Sequence, residues 1–353
     1  MFRVAHNTRR IEHTMSTARA LRLHAFGLDN LTLEEITLPA LGPLDVHVRF
    51  HAASLNYRDL MVVLGDYNPK LAMPRIPGSD AAGEVVAVGH AVTSLKPGDR
   101  VASLFFQQWE EGQINAATGK SALGGPIDGV FATERVMPAS GLIRIPNTLS
   151  WDEAATLPCA ALTAWNALVE KGQLRAGETV LVLGTGGVSI FALQIAKAHG
   201  ARVIVTSSSD DKLARAKALG ADELINYRTT PDWENEVIRL THGIGVDHVI
   251  EVGGAGTLQR SLKAVRVAGQ IHLIGVLTGK GATIDPTPIL GRSIRINGVY
   301  VGSRGMFERM LAAFAQNNIR PVFDRVFTID EYRAAFEQMQ HGAHFGKIVL
   351  SLA

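Results

Sequence analysis

The segment Gly184-Thr185-Gly186-Gly187-Val188-Ser189 combines residue types and spacing that point to one chemistry. It follows the apolar run Thr179–Leu183. It precedes a stretch in which Val188, Phe191, Ala192, Ile195 and Ala196 share one helical face, with Gly200 as the stop. The pattern is G-x-G-x-x-G/A with Ser189 at the last small position. Gly184 permits a tight turn, Gly186 lets the backbone approach a pyrophosphate, and Ser189 allows the helix to pack closely on the strand. An anionic diphosphate would sit at the positive end of that helix, bonded by its unpaired N–H groups. A glycine triplet alone is a common turn. The strand before it, the helix after it and a second apolar run at Val203–Thr206 identify a dinucleotide site.

Which nicotinamide nucleotide fits is a question of charge. Sites for NAD usually carry Asp or Glu at the end of the second strand, roughly 20 residues on, to hold the ribose hydroxyls. Here that stretch is Thr206-Ser207-Ser208-Ser209-Asp210-Asp211-Lys212. An acid at the strand end would repel a 2′-phosphate, whereas Ser207 and Lys212 can bind one. Asp210 and Asp211 weigh the other way, unless they serve as N-terminal charges of the following helix. NADP(H) is favoured over NAD(H).

These residues need two kinds of scaffold. From Ala18 to about Pro146 the chain reads as short strands and turns. In Asp45–His51, Val46, Val48 and Phe50 face one way and His47, Arg49 and His51 the other. Gly83–Gly89 and Asp99–Ala102 are further strand candidates between turns at Pro77-Gly78 and Pro97-Gly98. Residues 107–128, polar and Gly-rich, predict a surface loop. After Ser150, a plausible N-cap, the texture changes: helices at Trp151 and beyond Thr163 lead into apolar strands alternating with helices. Those strands are Thr179–Leu183, Arg202–Thr206, Glu223–Ile225, His248–Val252 and Gln270–Ile274. Uniformly apolar strands of this kind belong to a parallel sheet covered on both faces. Helices at Met306–Gln316 and Ile329–Gln340 and a final strand Lys347–Ser351 complete the chain.

Composition excludes several classes. A net charge of +2 on 353 residues gives no field to draw in nucleic acid or an anionic membrane. No apolar run approaches the roughly 20 residues that span a bilayer. The single cysteine, Cys159, excludes an intramolecular disulfide and a Cys-rich zinc lobe, and fits a reduced, cytoplasmic setting. Residues 1–14 carry Arg3, Arg9 and Arg10 against Glu12 without an apolar centre. They read as a disordered or loosely attached extension ahead of a second start at Met15, with an organellar presequence as the alternative.

Several segments together carry a family resemblance. They are Ala53-Ser-Leu-Asn-Tyr-Arg-Asp59, Pro77-Gly-Ser-Asp-Ala-Ala-Gly-Glu-Val-Val-Ala-Val-Gly89, Pro97-Gly-Asp-Arg-Val101, Ala161-Leu-Thr-Ala-Trp165, Ala218-Leu-Gly-Ala-Asp222, Ile225-Asn-Tyr227 and Phe345-Gly-Lys-Ile-Val-Leu350, together with the glycine turn. From about Ala18 to the C-terminus the chain resembles the medium-chain dehydrogenase/reductase superfamily, in its zinc-free quinone oxidoreductase-like branch. The resemblance implies an α/β protein: a GroES-like β-rich catalytic domain plus a Rossmann domain with a doubly wound parallel sheet. Residues 1–17 would form the extension, 18–145 the first part of the catalytic domain, 146–300 the Rossmann domain and 301–353 the return. It also implies a homodimer or homotetramer, joined through the last Rossmann strand at about residues 294–301.

Zinc alcohol dehydrogenases of the superfamily take their catalytic metal with a Cys, a His and a later Cys. The matching residues here are Asn56, Ser79 and Cys159. One thiol with an amide and a hydroxyl does not make a zinc site of useful affinity. His47 and His51, about 13 Å apart along a strand, cannot chelate one ion. They read as a solvated strand face, and His341 and His344 as loop residues. No metal is expected.

Without a metal, Asn56 offers amide donors at the first ligand position. Tyr67 matches a tyrosine that enoyl reductases of the superfamily use near substrate, with a loop aromatic under a lid as the equal alternative. Tyr57 and Arg58 stand beside Asn56, and Asp59 would orient Arg or backbone groups. Cys159 reads as a small buried residue rather than a nucleophile. Beyond Gly184, Gly186, Gly187, Val188, Ser207 and Lys212, the family pattern implies cofactor contacts from Thr163, Asn226, Tyr227, Gly275, Val276, Val301, Gly302, Ser303 and Lys347. A solvent-facing role for Lys347 is the alternative. The expected activity is zinc-independent, NADP(H)-preferring hydride transfer to an enone, a quinone or a related small carbonyl compound. A zinc-requiring alcohol dehydrogenase and a nucleotide-sensing protein without turnover are the rivals.

Overall fold

The computed structural model describes residues 16–279, 281 and 283–352. The expected extension at residues 1–15 lies outside them. Strand β1 (Thr17–Leu23) begins within the stretch expected to be loose and pairs antiparallel with β2 (Leu31–Thr37). Next come β3 (Asp45–Leu55), β4 (Asp80–Val88), β5 (Arg100–Ser103), β6 (Glu134–Pro138) and β7 (Leu142–Arg144). The nucleotide half supplies β8 (Thr179–Leu183), β9 (Arg202–Ser207), β10 (Glu223–Asn226), β11 (Val246–Glu251), β12 (Val265–Leu273) and β13 (Arg295–Gly298). The chain ends with β14 (Phe323–Thr328) and β15 (Lys347–Ser351).

Two larger sheets result. The first has seven strands in the order β14-β15-β3-β4-β5-β7, with β6 paired to β3, so both ends of the chain build it. The alternation expected in β3 is present. Val46, Val48 and Phe50 are buried, while His47 and Arg49 reach out to share Glu134 at 2.7 and 2.9 Å. The second sheet is six-stranded, parallel, in the order β10-β9-β8-β11-β12-β13. Its strands are buried on both faces. Val180 and Val182 pack with Phe191 and Leu213 on one side, and Leu181 and Leu183 with Trp233, Val237 and Leu262 on the other. This is the α/β architecture expected: a GroES-like β domain plus a doubly wound Rossmann sheet. No helix of the described residues is long and apolar enough to cross a membrane.

Three stretches differ from the expectation. Residues 107–128 are not simply a surface loop: Gln107, Trp109, Ala122 and Leu123 are buried. Gln107 meets that burial by donating Nε2 to the carbonyls of Leu104 and Gly141 at 2.7 and 3.2 Å, so a polar composition here conceals an inner loop. The helix after Ser150 is capped as expected, with Ser150 and Glu153 bonded reciprocally. It then widens into π-type turns at Leu157–Ala161 and Asn166–Lys171. The helix Arg304–Gln316, expected with the returning segment, packs on the nucleotide side, where Phe314 stacks on Phe191 at 6.1 Å.

Candidate active site

The glycine turn forms as its composition requires. Gly184 has φ +73°, a left-handed backbone that glycine adopts freely, and Gly186 is the N-cap of the helix Gly187–Ala198. Nothing lies within 4 Å of the point where a Gly186 Cβ would sit, which leaves room for a ligand against the backbone. Ser189 donates its hydroxyl to the Leu183 carbonyl at 2.7 Å, tying helix to strand. The turn therefore fits a dinucleotide pyrophosphate. Gly187 has a different task. A Cβ there would fall 2.6 Å from Cδ of Lys347, so this glycine makes room for a side chain of the same protein.

At the end of β9, Ser207 is buried and its hydroxyl accepts from the Ser209 amide at 3.3 Å. Ser209 caps the helix Asp210–Ala218, and Asn226 donates to Asp210 at 2.7 Å, so Asp210 is held at that helix start. Lys212 reaches the Gly342 carbonyl at 2.8 Å. Beside it, His344 is pushed down to about 4 by burial and by the charges of Lys212 and Lys347. Tyr227 is exposed, and its amide bonds the Ser207 carbonyl at 3.0 Å.

Other expected contacts have local structural tasks. Thr163 is buried in the helical stretch that follows β7, while Val276 lies exposed after β12. Gly275 has no room for a side chain, since a Cβ would come 2.3 Å from the Val252 carbonyl. Gly302 packs under Leu162, and Ser303 caps the helix Arg304–Gln316. Val301 holds φ +53°, a left-handed backbone that β-branched residues avoid, and Asn166 secures it by donating to its carbonyl at 2.7 Å.

The second part of the site forms where β3, β4 and β15 meet. Antiparallel pairing of Ile348 with Leu55 sets Lys347 beside Asn56. Lys347 is buried, which corrects the solvent-facing alternative. Its ammonium donates to the Leu55 carbonyl at 2.7 Å and to Asn56 Oδ1 at 2.6 Å, with Asp80 Oδ2 at 3.9 Å. Asn56 Nδ2 points to Ser79 Oγ at 3.4 Å. Ser79 donates to Asp80 Oδ1 at 2.6 Å, and the Cys159 amide donates to Asp80 Oδ2 at 3.0 Å. Burial raises the Asp80 carboxyl, opposed by Lys347 and the bonds from Ser79 and Asn56. Burial and the charge of Asp80 push the Cys159 thiol up, so it stays protonated and is a poor nucleophile.

Asp59 lies one turn into the helix Tyr57–Leu64. It accepts from the Asn56 amide at 2.9 Å and stands 3.6 Å from Arg58. Arg58 lies over the rings of Tyr67 and Phe105, at 5.0 and 4.9 Å, and Tyr57 turns out to solvent. The Tyr67 hydroxyl meets that of Tyr300 at 2.5 Å, and Phe105 and Phe106 pack edge-on against Tyr300. Burial, with Tyr67 beside it, pushes the Tyr300 phenol up and keeps it protonated. Asn56, Asp59, Asp80, Lys347 and the two tyrosines thus form one connected region. Sequence reasoning assigned no role to Asp80. Its signal was an acid standing in the apolar run that follows Pro77-Gly78.

The three positions Asn56, Ser79 and Cys159 do converge, but as an amide, a hydroxyl and a protonated thiol with an ammonium already bonded to the amide. That donor set does not fit zinc. Among the described residues no three His, Cys, Asp or Glu side chains gather as a metal set.

Comparison with known proteins adds the family. Residues 42–147 match the alcohol dehydrogenase GroES-like domain, and residues 187–316 match the zinc-binding dehydrogenase family. A zinc-type alcohol dehydrogenase-like protein of Schizosaccharomyces pombe is 46% identical over 333 residues, 92% of this chain and 96% of its own. A crystal structure of a putative alcohol dehydrogenase from Sinorhizobium meliloti 1021 superposes with TM-score 0.89 at 43% identity, covering 95% of this chain and 98% of that one. A structure described as an NAD-dependent alcohol dehydrogenase gives TM-score 0.87 at 36% identity, over 95% of this chain and all of that one.

Proposed function

The chain belongs to the medium-chain dehydrogenase/reductase superfamily and is an NAD(P)-dependent, alcohol dehydrogenase-like enzyme. On that premise we propose that it reduces an enone, a quinone or a related small carbonyl compound without a catalytic metal and with NADP(H) preferred. The observation that carries this reading is the Lys347 ammonium, 2.6 Å from Asn56 Oδ1 among the residues that would have to ligate zinc. A divalent cation placed there would meet the Lys347 charge and three weakly binding donors, an amide, a hydroxyl and a protonated thiol, with the Asp80 carboxylate already engaged by Ser79, the Cys159 amide and Lys347. The zinc-type names of the relatives are thus not carried over to this chain.

The bound nicotinamide would supply the hydride. The diphosphate would be held at Gly184, Gly186 and the N-terminus of the helix that follows. Asn56 would meet the substrate oxygen with an Nδ2 proton as charge develops there, the task of an oxyanion-hole donor. Tyr67 and Tyr300 share one hydroxyl proton between them, and the second is free to be donated. Phe105 and Phe106, packed edge-on against Tyr300, wall this side. NADP(H) preference is supported by Ser207 at the β9 end, by Lys212, and by the commitment of Asp210 to Asn226. A homodimer or homotetramer through β13 is supported by its edge position and by exposed Leu290 and Ile296 beside and on it.

The test is NADPH and NADH oxidation over 2-cyclohexen-1-one, 1,4-benzoquinone and benzaldehyde, with and without a chelator, for the wild type and Asn56→Ala. Turnover that survives the chelator and falls about 10²-fold or more in Asn56→Ala, with NADPH affinity little changed, is expected. Stoichiometric zinc lost together with activity would return the chain to the metal-dependent enzymes. Equal losses of turnover and affinity would reduce Asn56 to a binding residue.

A further inference from the structure

We propose that Lys347 is a positioning residue whose buried ammonium does by hydrogen bonding what a metal does by ligation: it fixes Asn56 with its donor group turned toward the substrate. This rests on the reading of Asn56 given above. The argument begins with donor count. An ammonium has three protons and no lone pair, so the Asn56 atom it meets at 2.6 Å has to be the oxygen. The amide is thereby oriented, and Nδ2 is directed to the other side. There its hydrogen bond is to Ser79 Oγ at a long 3.4 Å, with the Asp80 carboxylate drawing on the same group, so the Nδ2 protons are held more weakly than the oxygen.

The contacts close into a ring. Lys347 donates to Asn56, Asn56 to Ser79, and Ser79 to Asp80, whose other oxygen lies 3.9 Å from Lys347. Because Ser79 spends its only proton on Asp80, it can take part with Asn56 only as acceptor. Every member therefore has a single orientation consistent with the others. All four side chains are buried, so none can exchange its partner for water. The backbone carbonyl of Leu55 takes a second ammonium proton at 2.7 Å and anchors the ring to β3. The side chain reaches this position through the gap beside Gly187, and its neighbour Gly346 donates to the Thr185 carbonyl at 2.9 Å.

The decisive variants are Lys347→Met, which keeps the stem and removes the charge, and Lys347→Met/Asp80→Asn, which removes both buried charges and protects folding. In both, kcat with the substrate panel is expected to fall about 10²-fold while NADPH affinity changes by less than a few fold. A readout independent of turnover is hydrogen exchange of the Asn56 side-chain amide, its signal assigned by loss in Asn56→Ala. Exchange should speed up at least about tenfold in both variants, since the amide is free to rotate. Unchanged exchange would overturn the proposal, as would full activity in the double variant, which would reduce Lys347 to a counter-charge for Asp80. Parallel losses of NADPH affinity and kcat would make it a cofactor ligand instead. If Asn56→Ala leaves kcat intact, the underlying reading fails. If only Asn56→Ala lowers kcat, the role of Lys347 alone fails.

Discussion

Replacing Asp59 by Asn should change how stability depends on pH by an amount that the site itself sets. Asp59 is fully buried, and one of its oxygens has no hydrogen-bond partner. Burial pushes its carboxyl up from 3.8 to about 6, against the pull of Arg58 and the Asn56 amide. A rise of roughly two units at ~1.36 kcal/mol each means that ionised Asp59 costs the folded state about 3 kcal/mol at neutral pH. Between pH 4 and 6 the folded chain binds this proton and the unfolded chain does not. This contribution is therefore fully present below pH 4 and is lost as pH rises through 6. Asn cannot titrate. The stability of Asp59→Asn relative to the wild type should thus improve by about 3 kcal/mol on going from pH 4 to pH 7.5, while groups titrating in both proteins cancel. Urea unfolding of the two proteins at half-unit pH intervals measures the difference directly. A difference flat to within about 0.5 kcal/mol, or one sloping the other way, would refute the reasoning that burial dominates this carboxylate.

Three further outcomes are expected. Ser207→Asp should move the NADPH/NADH preference toward NADH by tenfold or more in Kd, at about 1.4 kcal/mol per decade, and an unchanged ratio in fluorescence titrations would remove the charge argument at the β9 end. Gly186→Ala, with open space around the added carbon, should leave the melting temperature of the free protein nearly unaltered yet weaken NADPH binding. Gly187→Ala should instead cost about 1–3 kcal/mol of stability through its clash with Lys347 Cδ, a contrast that calorimetry and titration read together. Tyr67→Phe and Tyr300→Phe should each lower kcat by about 10²-fold, with the double variant little worse than either, because they break one shared hydrogen bond. Strictly multiplicative losses in steady-state assays would show two independent groups.

What the sequence discloses is local. The turn at Gly184 and Gly186 is legible because φ and backbone clearance belong to those residues themselves. The strand Asp45–His51 is legible because a period of two survives in three consecutive apolar positions. The ring around Asn56 is not local. Lys347 lies 291 residues away, and its flanks announce only a strand, so nothing nearby distinguishes a buried ammonium from an exposed one. The Tyr67–Tyr300 pair spans 233 residues and depends on two loops whose approach no periodicity encodes. Residues 107–128 misled for a related reason. Gln107 and Ser121 turn their polar groups to buried carbonyls while residues 110–117 face water, and composition cannot tell the two apart.

The topology explains why one lysine can serve both halves of the protein. A strand returning from the C-terminus must pair with β3 to complete the first sheet, and register alone brings Lys347 to Asn56. The residue before it, Gly346 at φ +73°, turns the backbone so that its amide reaches the Thr185 carbonyl in the glycine turn. A Cβ on Gly346 would strike the Val322 carbonyl at 2.3 Å, so the approach is open only to glycine. The nucleotide turn and the Asn56 amide are therefore fastened to two consecutive residues of one strand. One side chain separates the turn from Asn56. The sequence Gly346-Lys347 thus serves both halves: the glycine allows the close approach, and the lysine carries its charge from there to Asn56.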